Sequence, residues 1–303
     1  MADGNHQAVA DTGAGPDTSG YLEYLRTNRD FTAPAVAAAV SAITPGTRGR
    51  PLRVLDAGTG AGGALPELAG MVRAAGGGTV VAVDADPRAV EAARKLVGQR
   101  RLDQVSEVRV ADLRAVAAEA AETGDGFDVI WSADVVWPAT FADPSAVVRA
   151  LAAALNPGGT LALFTTNYYQ SMFLPGHSRL ERLIRTASEL TWGLPDDGPS
   201  HYERLGAWLR EAGLGGVSVR VFPLAASATQ PAARAFLERI TWPEMRHAAA
   251  SHGRGAGMSE ADVARAEELL DPRSPAWVGA GQDAFVVQPT LLWTGEAGAF
   301  SRA

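Results

Sequence analysis

Residues 54–63 read Val54-Leu55-Asp56-Ala57-Gly58-Thr59-Gly60-Ala61-Gly62-Gly63, an apolar run that meets a cluster of glycines. The run reads as a buried strand and the glycines as a sharp turn, with a helix expected to follow over 64–75. Glycine lets the backbone turn tightly and lets a ligand approach the main chain closely. The start of the helix adds free N–H groups and the positive end of its dipole. Gly58, Gly60 and Gly63 also satisfy the G-x-G-x-x-G dinucleotide pattern, so nicotinamide or flavin binding stands as a competing reading of this loop.

Outward from the loop, strands alternate with helices. The pattern predicts strands over 52–57, 79–83, 108–111, 127–131 and 160–165. Between them it predicts helices over 64–75, 87–100, 114–122 and 144–155, and a turn at Asn156-Pro157-Gly158-Gly159. Such alternation implies right-handed βαβ units and a buried parallel sheet. Upstream, 21–29 and 34–43 read as two short helices, with Pro34 in the first turn of the second. Downstream, helices are expected over 179–190 and 202–212, and a half-buried strand over 217–223. A last strand over 284–293 contains Pro289, which predicts a bulge or pairing confined to one side of it. Residues 225–283 are too many for a plain loop and read as a helical insertion, with helices near 232–241 and 260–270. The chain is accordingly divided into a lead-in (1–20), a helical cap (21–50) and a main domain (51–303) with a lid at 167–205 and the insertion.

Composition narrows the function. Of 303 residues 47% are hydrophobic and 20% charged, which excludes a disordered chain. No cysteine is present, so thiolate metal sites, disulfides and cysteine nucleophiles are excluded. With 27 basic against 34 acidic residues and a net charge of −7, nucleic acid is not the expected main partner. The apolar stretches are too short to span a membrane. Residues 1–20 lack the features of a signal peptide, and the expected compartment is the cytoplasm. Heavy use of Ala, Gly and Arg points to a GC-rich bacterial source.

Three acids separate the competing readings of the glycine loop. Asp84 follows the second expected strand, where a carboxylate takes both ribose hydroxyls. Asp56 stands immediately before the glycines, where it repels a pyrophosphate and suits an ammonium group. Asp112 closes the third strand, placed for an adenine amino group or, alternatively, as an ordinary helix N-cap. Together they fit a ligand with a ribose, an adenine and an amino acid but no phosphate, namely S-adenosylmethionine.

At these positions the sequence resembles the class I S-adenosylmethionine-dependent methyltransferase family. The matching pieces are 54–63, Val83-Asp84-Ala85-Asp86, Ala111-Asp112-Leu113, Phe127-Asp128-Val129-Ile130 and Leu155-Asn156-Pro157-Gly158-Gly159. The resemblance implies a Rossmann-like, seven-stranded, mostly parallel sheet with helices on both faces. It implies that Ala57, Gly58, Thr59 and Gly60 lie along the methionine part of the cofactor and Asp84 and Ala85 at the ribose. Asp112 and Leu113 fall at the adenine and Ser132 beside the sulfonium.

Methyl transfer from a sulfonium is an in-line displacement, so the protein mainly positions a nucleophile and excludes water. The acceptor pocket is expected beyond the ends of strands four and five, in 132–137 and 167–177. Seven of the chain's 21 aromatic residues fall between Phe164 and Trp208, which predicts an aromatic lid or pocket. The candidate acceptor contacts are Asp134, Trp137, Asn167, Tyr168 and Phe173. His177 is the candidate base, with Tyr168 as a second candidate catalytic group. No metal is expected, because Ser132-Ala133-Asp134 and Thr165-Thr166-Asn167 lack the acids of metal-assisted relatives. Arg29 is either a partner for the methionine carboxylate or a surface arginine. The inserted helices offer a surface for a homodimer contact.

The reading is a metal-independent methyltransferase acting on a small molecule in bacterial secondary metabolism. The alternatives are a protein of the same fold that binds the cofactor for cyclisation, rearrangement or decarboxylation, a nicotinamide-dependent oxidoreductase, and a modifier of RNA or protein.

Overall fold

A computed structural model describes residues 18–46, 50–195 and 198–298. The lead-in expected at 1–20 lies outside the described residues up to residue 17. Its last three positions instead begin a long helix, α1 (Thr18–Ser41).

The alternating core follows as β1 (Leu52–Ala57), α2 (Leu65–Ala74), β2 (Gly78–Asp84), α3 (Pro87–Arg100), β3 (Ser106–Val110), α4 (Leu113–Thr123), β4 (Phe127–Ala133), α5 (Pro144–Ala153) and β5 (Leu155–Thr166). After it come α6 (Ser178–Thr191), α7 (Leu205–Glu211), β6 (Gly215–Val221), β7 (Leu224–Ser227), α8 (Pro231–Phe236), α9 (Trp242–His252), α10 (Glu260–Leu270), β8 (Phe285–Gln288) and β9 (Thr290–Glu296). The main sheet has seven strands in the order β3-β2-β1-β4-β5-β9-β6. The first five run parallel, and β9 lies antiparallel between β5 and β6. This is the Rossmann-like architecture that the apolar runs imply. Its β1 and β4 are buried along almost their whole length, as central parallel strands must be. One apolar core forms against α1, α2 and the later helices, and a second against α4, α5 and α7.

Four features differ from the expectation. The two N-terminal helices are one, running through Pro34. Phe31, Ala35, Val36, Ala39 and Val40 are buried at helical spacing across the proline, while Pro34 itself faces out, so packing holds the helix together where the local signal would end it. The Asn156–Gly159 turn falls inside β5 as a bulge, because the register jumps from Phe127 opposite Leu155 to Val129 opposite Thr160. The helix expected at 202–212 starts as a 3₁₀ turn, Tyr202–Arg204, before α7. Pro289 divides the last strand into β8 and β9, which belong to different sheets: β8 pairs with β7 and β9 with β5 and β6.

The β7–β8 ribbon leans off the main sheet towards the segment after β5, where Met172 and Val287 exchange backbone hydrogen bonds of 2.7 and 3.1 Å. From its tip spring α8, a π-helical turn (Leu237–Thr241), α9 and α10. Helix α9 packs on α6 and α10, and α8 packs on α1 with Phe236 stacked on Phe31 at 4.1 Å. The Trp242 indole donates to the Phe173 carbonyl at 3.1 Å, tying the inserted helices to the segment after β5. Together with α1 they roof the C-terminal ends of β4 and β5.

Candidate active site

The glycine turn is built by left-handed backbone at Gly58 (φ 82°), Gly60 (φ 53°) and Gly62 (φ 83°). The Gly58 and Thr59 amides both donate to the Val83 carbonyl at 2.9 Å, and the Gly62 amide donates to Thr59. The Gly60 amide donates to Asp84 Oδ2 at 2.9 Å, and the Asp86 amide donates to Asp84 Oδ1 at 2.9 Å. The turn therefore points its amides at the protein, and a pyrophosphate would find those of Gly58, Thr59, Gly60 and Gly62 already engaged. Asp56 is buried beneath it, accepting from the Thr59 hydroxyl at 2.6 Å. Burial raises Asp56 to about 7, and the nearby Asp84 charge adds to the shift. Asp84 is also raised, chiefly by burial, against the pull of its backbone donors. Among the described residues no cationic side chain pairs with either acid. Helix α1 crosses over the turn: Leu25 approaches Gly60, and the Arg29 side chain lies against Gly63 and reaches the Ala61 carbonyl at 3.5 Å.

Next to the turn, Val135 packs against Gly58, and beyond it opens a cavity of about 150 Å³. Its floor is the ends of β4 and β5, with Ser132, Asp134, Thr165 and Thr166. Its walls and roof are Tyr24 and Asn28 of α1, Trp137, Tyr168, Tyr169, Trp192, Tyr202, Ile240 of the π-helical turn and Glu244 of α9. Ser132 donates its hydroxyl to the Ala57 carbonyl at 2.8 Å, joining floor and glycine turn. Asp134 has a left-handed backbone (φ 55°), unusual for a non-glycine residue and at home in a functional loop. It accepts from the Thr166 amide at 2.6 Å and lines the cavity; the residue as a whole is exposed, while desolvation of its carboxyl raises it to about 6. Glu244 is raised to about 7 by desolvation alone, having no hydrogen-bond or ion-pair partner among the described residues. The Tyr168 hydroxyl is buried without a partner and stays protonated: burial raises it well above 10, and Glu244 adds to the shift.

Residues 50–193 match the family model described as a methyltransferase domain. This segment is a class I methyltransferase domain. Curated relatives include the ubiquinone biosynthesis O-methyltransferase of Xanthomonas axonopodis pv. citri (strain 306), 34% identical over 170 residues, covering 54% of this chain and 62% of that protein. The protein of the same name in Xanthomonas oryzae pv. oryzae (strain PXO99A) is 36% identical over 168 residues, with the same coverage. The chain thus matches less than two thirds of these relatives' length. Among solved structures, phosphoethanolamine N-methyltransferase 2 of Haemonchus contortus in complex with S-adenosyl-L-methionine shares the fold, with a TM-score of 0.52 at 15% identity over 98% of this chain and 61% of that one.

S-adenosylmethionine is the cofactor of this domain family, and the residues of the methyltransferase domain fit it. Two carboxylates without a cationic partner, Asp56 and Asp84, flank the glycine turn, where Gly60 meets the Leu25 side chain at ordinary contact distance. An ammonium and a pair of ribose hydroxyls are what such acids lack.

The residues singled out from sequence are distributed unevenly around this centre. Asp56, Ala57, Gly58, Thr59, Gly60, Asp84 and Ala85 converge on the glycine turn. Asp112 caps α4 through the Arg114 amide at 2.7 Å and pairs with the Arg114 guanidinium, the alternative that its position left open; Leu113 is buried behind it. Ser132, Asp134, Trp137 and Tyr168 line the cavity. Asn167 does not line it: its amide N–H bonds the Pro289 carbonyl at 2.9 Å, and its side-chain oxygen is buried without a partner. Phe173 is fully buried behind Tyr168, at 5.0 Å between rings, so it supports the wall from outside. His177 starts α6 and lines a different groove with Arg179 and Asp262, because the chain turns away from the cavity after Tyr169. Glu244 and Gln288 line the cavity without having been singled out. The legible signal for Glu244 was its place on the buried stripe, four residues after Ile240 and four before Ala248. Among the described residues no group of three or more His, Asp or Glu side chains is placed to hold a metal ion.

Proposed function

We propose that this protein is an S-adenosylmethionine-dependent methyltransferase whose acceptor is a small molecule carrying an aromatic or similarly flat ring, in bacterial secondary metabolism. The observation that carries the reading is the continuity between the glycine turn and the aromatic cavity, through Val135 against Gly58 and Ser132 on the Ala57 carbonyl. The bound cofactor supplies an electrophilic methyl group. Asp84 takes the ribose hydroxyls, with Ala85 beside it, Asp56 holds the ammonium, and Asp112 and Leu113 border the adenine. Ala57, Gly58, Thr59 and Gly60 give the methionine part a close backbone surface. Tyr24, Tyr168 and Trp137 hold the acceptor ring and exclude water from the reaction. The names of the Xanthomonas relatives, which are O-methyltransferases, support methyl transfer as the reaction type.

The test is incubation of the full chain with S-adenosylmethionine and a panel of single-ring phenols and amines. The expected result is S-adenosylhomocysteine released in step with a product one methyl group heavier. An acceptor converted to a product of unchanged mass, with the cofactor unconsumed, would overturn methyl transfer in favour of a rearrangement or cyclisation.

A further inference from the structure

We propose that the cavity selects an amine: a single-ring acceptor whose nitrogen sits among Glu244, Asp134 and the Gln288 side-chain oxygen, against the rings of Tyr24, Tyr168 and Trp137. The inference rests on the cavity being the acceptor chamber and adds the chemical class of what fills it.

Size sets the first limit. A cavity of about 150 Å³ accommodates one aromatic ring and little more. Its polar inventory sets the second. Gln288 is 2% exposed and its Oε1 has no hydrogen-bond partner, although it stands in the cavity wall. Glu244 is likewise without a partner among the described residues, and Asp134 accepts from Thr166 through both its backbone amide and its side chain. Gln288 Oε1 is a buried acceptor left unsatisfied, which is costly; with the two carboxylates and the unpartnered Tyr168 hydroxyl of the same cavity wall it calls for a ligand rich in N–H donors. Among the described residues lining the cavity there is no Lys, Arg or His. A carboxylate or phosphate ligand would meet two acids and no cation. A phenol that loses its proton on reaction would leave a phenolate beside Asp134 with no cation in the cavity wall to stabilise it. An amine avoids both problems: its N–H groups satisfy the acceptors, and in its ammonium form the tyrosine and tryptophan faces attract it.

The same acids prepare the nitrogen. An entering ammonium gives one N–H proton to the Glu244 carboxylate, producing a neutral amine with a free lone pair and a neutral carboxylic acid. Burial holds Glu244 near 7, so both forms are accessible at neutral pH. Glu244 here touches the acceptor nitrogen and is a catalytic residue of the proposal.

Trp137 and Trp192 both line the cavity, so intrinsic fluorescence reads binding without turnover. The full chain, with S-adenosylhomocysteine present, is titrated with 2-phenylethylamine, 2-phenylethanol and phenylacetate. The expected result is an amine bound at least tenfold more tightly than either isostere, with that preference lost in Glu244→Gln while the alcohol's affinity stays the same. If Glu244→Gln fails to fold, Asp134→Asn and the wild-type ligand series decide. Equal binding of the alcohol or phenylacetate, absence of saturable amine binding, or an unchanged amine affinity in a folded Glu244→Gln overturns the inference. Calorimetry with S-adenosylhomocysteine on the same preparation separates the two claims. Cofactor binding without amine preference removes only this inference, whereas failure of the cofactor to bind removes the methyltransferase reading.

Discussion

Gly60 donates its backbone N–H to the Asp84 carboxylate at 2.9 Å, so the glycine turn after β1 and the acid at the end of β2 form one unit. Asp84 thereby fixes the turn, and in the proposed function its remaining lone pairs take a ribose. Asp84→Asn replaces one acceptor oxygen with a donor that faces either the Gly60 or the Asp86 amide. A hydrogen bond to a charged group contributes about 1.5–3 kcal/mol, so S-adenosylhomocysteine affinity should fall by about 10–100-fold in calorimetry. Affinity within twofold of wild type would place the ribose elsewhere.

Gly58 is held at φ 82°, and a Cβ there would stand 2.4 Å from Val135 Cγ2. Gly58→Ala therefore combines backbone strain with a clash and should cost about 1–3 kcal/mol in urea unfolding. Adding Val135→Ala removes the 2.4 Å contact but leaves the residue-135 Cβ at 3.2 Å and the backbone strain, so the double variant should recover only part of the loss. Full recovery would show that the left-handed backbone contributes nothing.

Three acids of the site give stability a definite pH dependence. Burial raises Asp56 and Glu244 to about 7 and Asp134 to about 6. In the unfolded chain such groups titrate near 4, so between roughly pH 4 and 7 the folded state binds more protons. The stability linked to these acids is fully present below that window and is lost as pH rises through the folded values. Asp271, lowered to about 2 by Arg273, has the opposite sign and acts only at more acidic pH. The urea midpoint should fall from pH 5 to pH 8, and Glu244→Gln should make that fall shallower. A flat wild-type profile would contradict the burial of these carboxyls.

Asp128 is fully buried at the start of β4 and accepts from three directions. The Arg53 amide donates at 2.8 Å, the Asn156 side chain at 2.9 Å, and the Arg50 guanidinium pairs with it. It ties together the beginnings of β1, β4 and β5, at the end of the sheet opposite the cavity. Asp128→Ala strands these donors and should cost about 2–4 kcal/mol, measured by urea unfolding. S-adenosylhomocysteine affinity in the folded fraction should stay unchanged; a large loss would show that the two ends of the sheet are coupled.

The sheet was legible because buried parallel strands are apolar runs, and β1 to β5 each end against an acid, a turn or a polar segment that stops the run. Pro289 was legible as an interruption, since proline cannot donate to a ladder, though which sheet each half joins depended on Met172 pairing with Val287. Pro34 misled for the same reason in reverse: its local effect lost to an apolar face packed against α2 and α8. The acids beside the glycine turn, Asp56 and Asp84, were legible because they sit within a residue or two of strand ends. The far wall of the cavity was not. Glu244 stands 110 residues beyond Asp134 in sequence, and a single acid in a helix reads as solvated until the insertion is seen folded over the sheet edge. His177, by contrast, is near Tyr168 in sequence and apart from it in space, because α6 starts on the far side of Phe173.

The most direct test of the account is calorimetric titration of the full chain with S-adenosylhomocysteine at pH 8, with NAD as the parallel ligand. The account predicts saturable one-site binding of S-adenosylhomocysteine, none of NAD, and weaker binding towards pH 6 as Asp56 takes up its proton and stops attracting the ammonium. Saturable NAD binding with no heat from S-adenosylhomocysteine would contradict it.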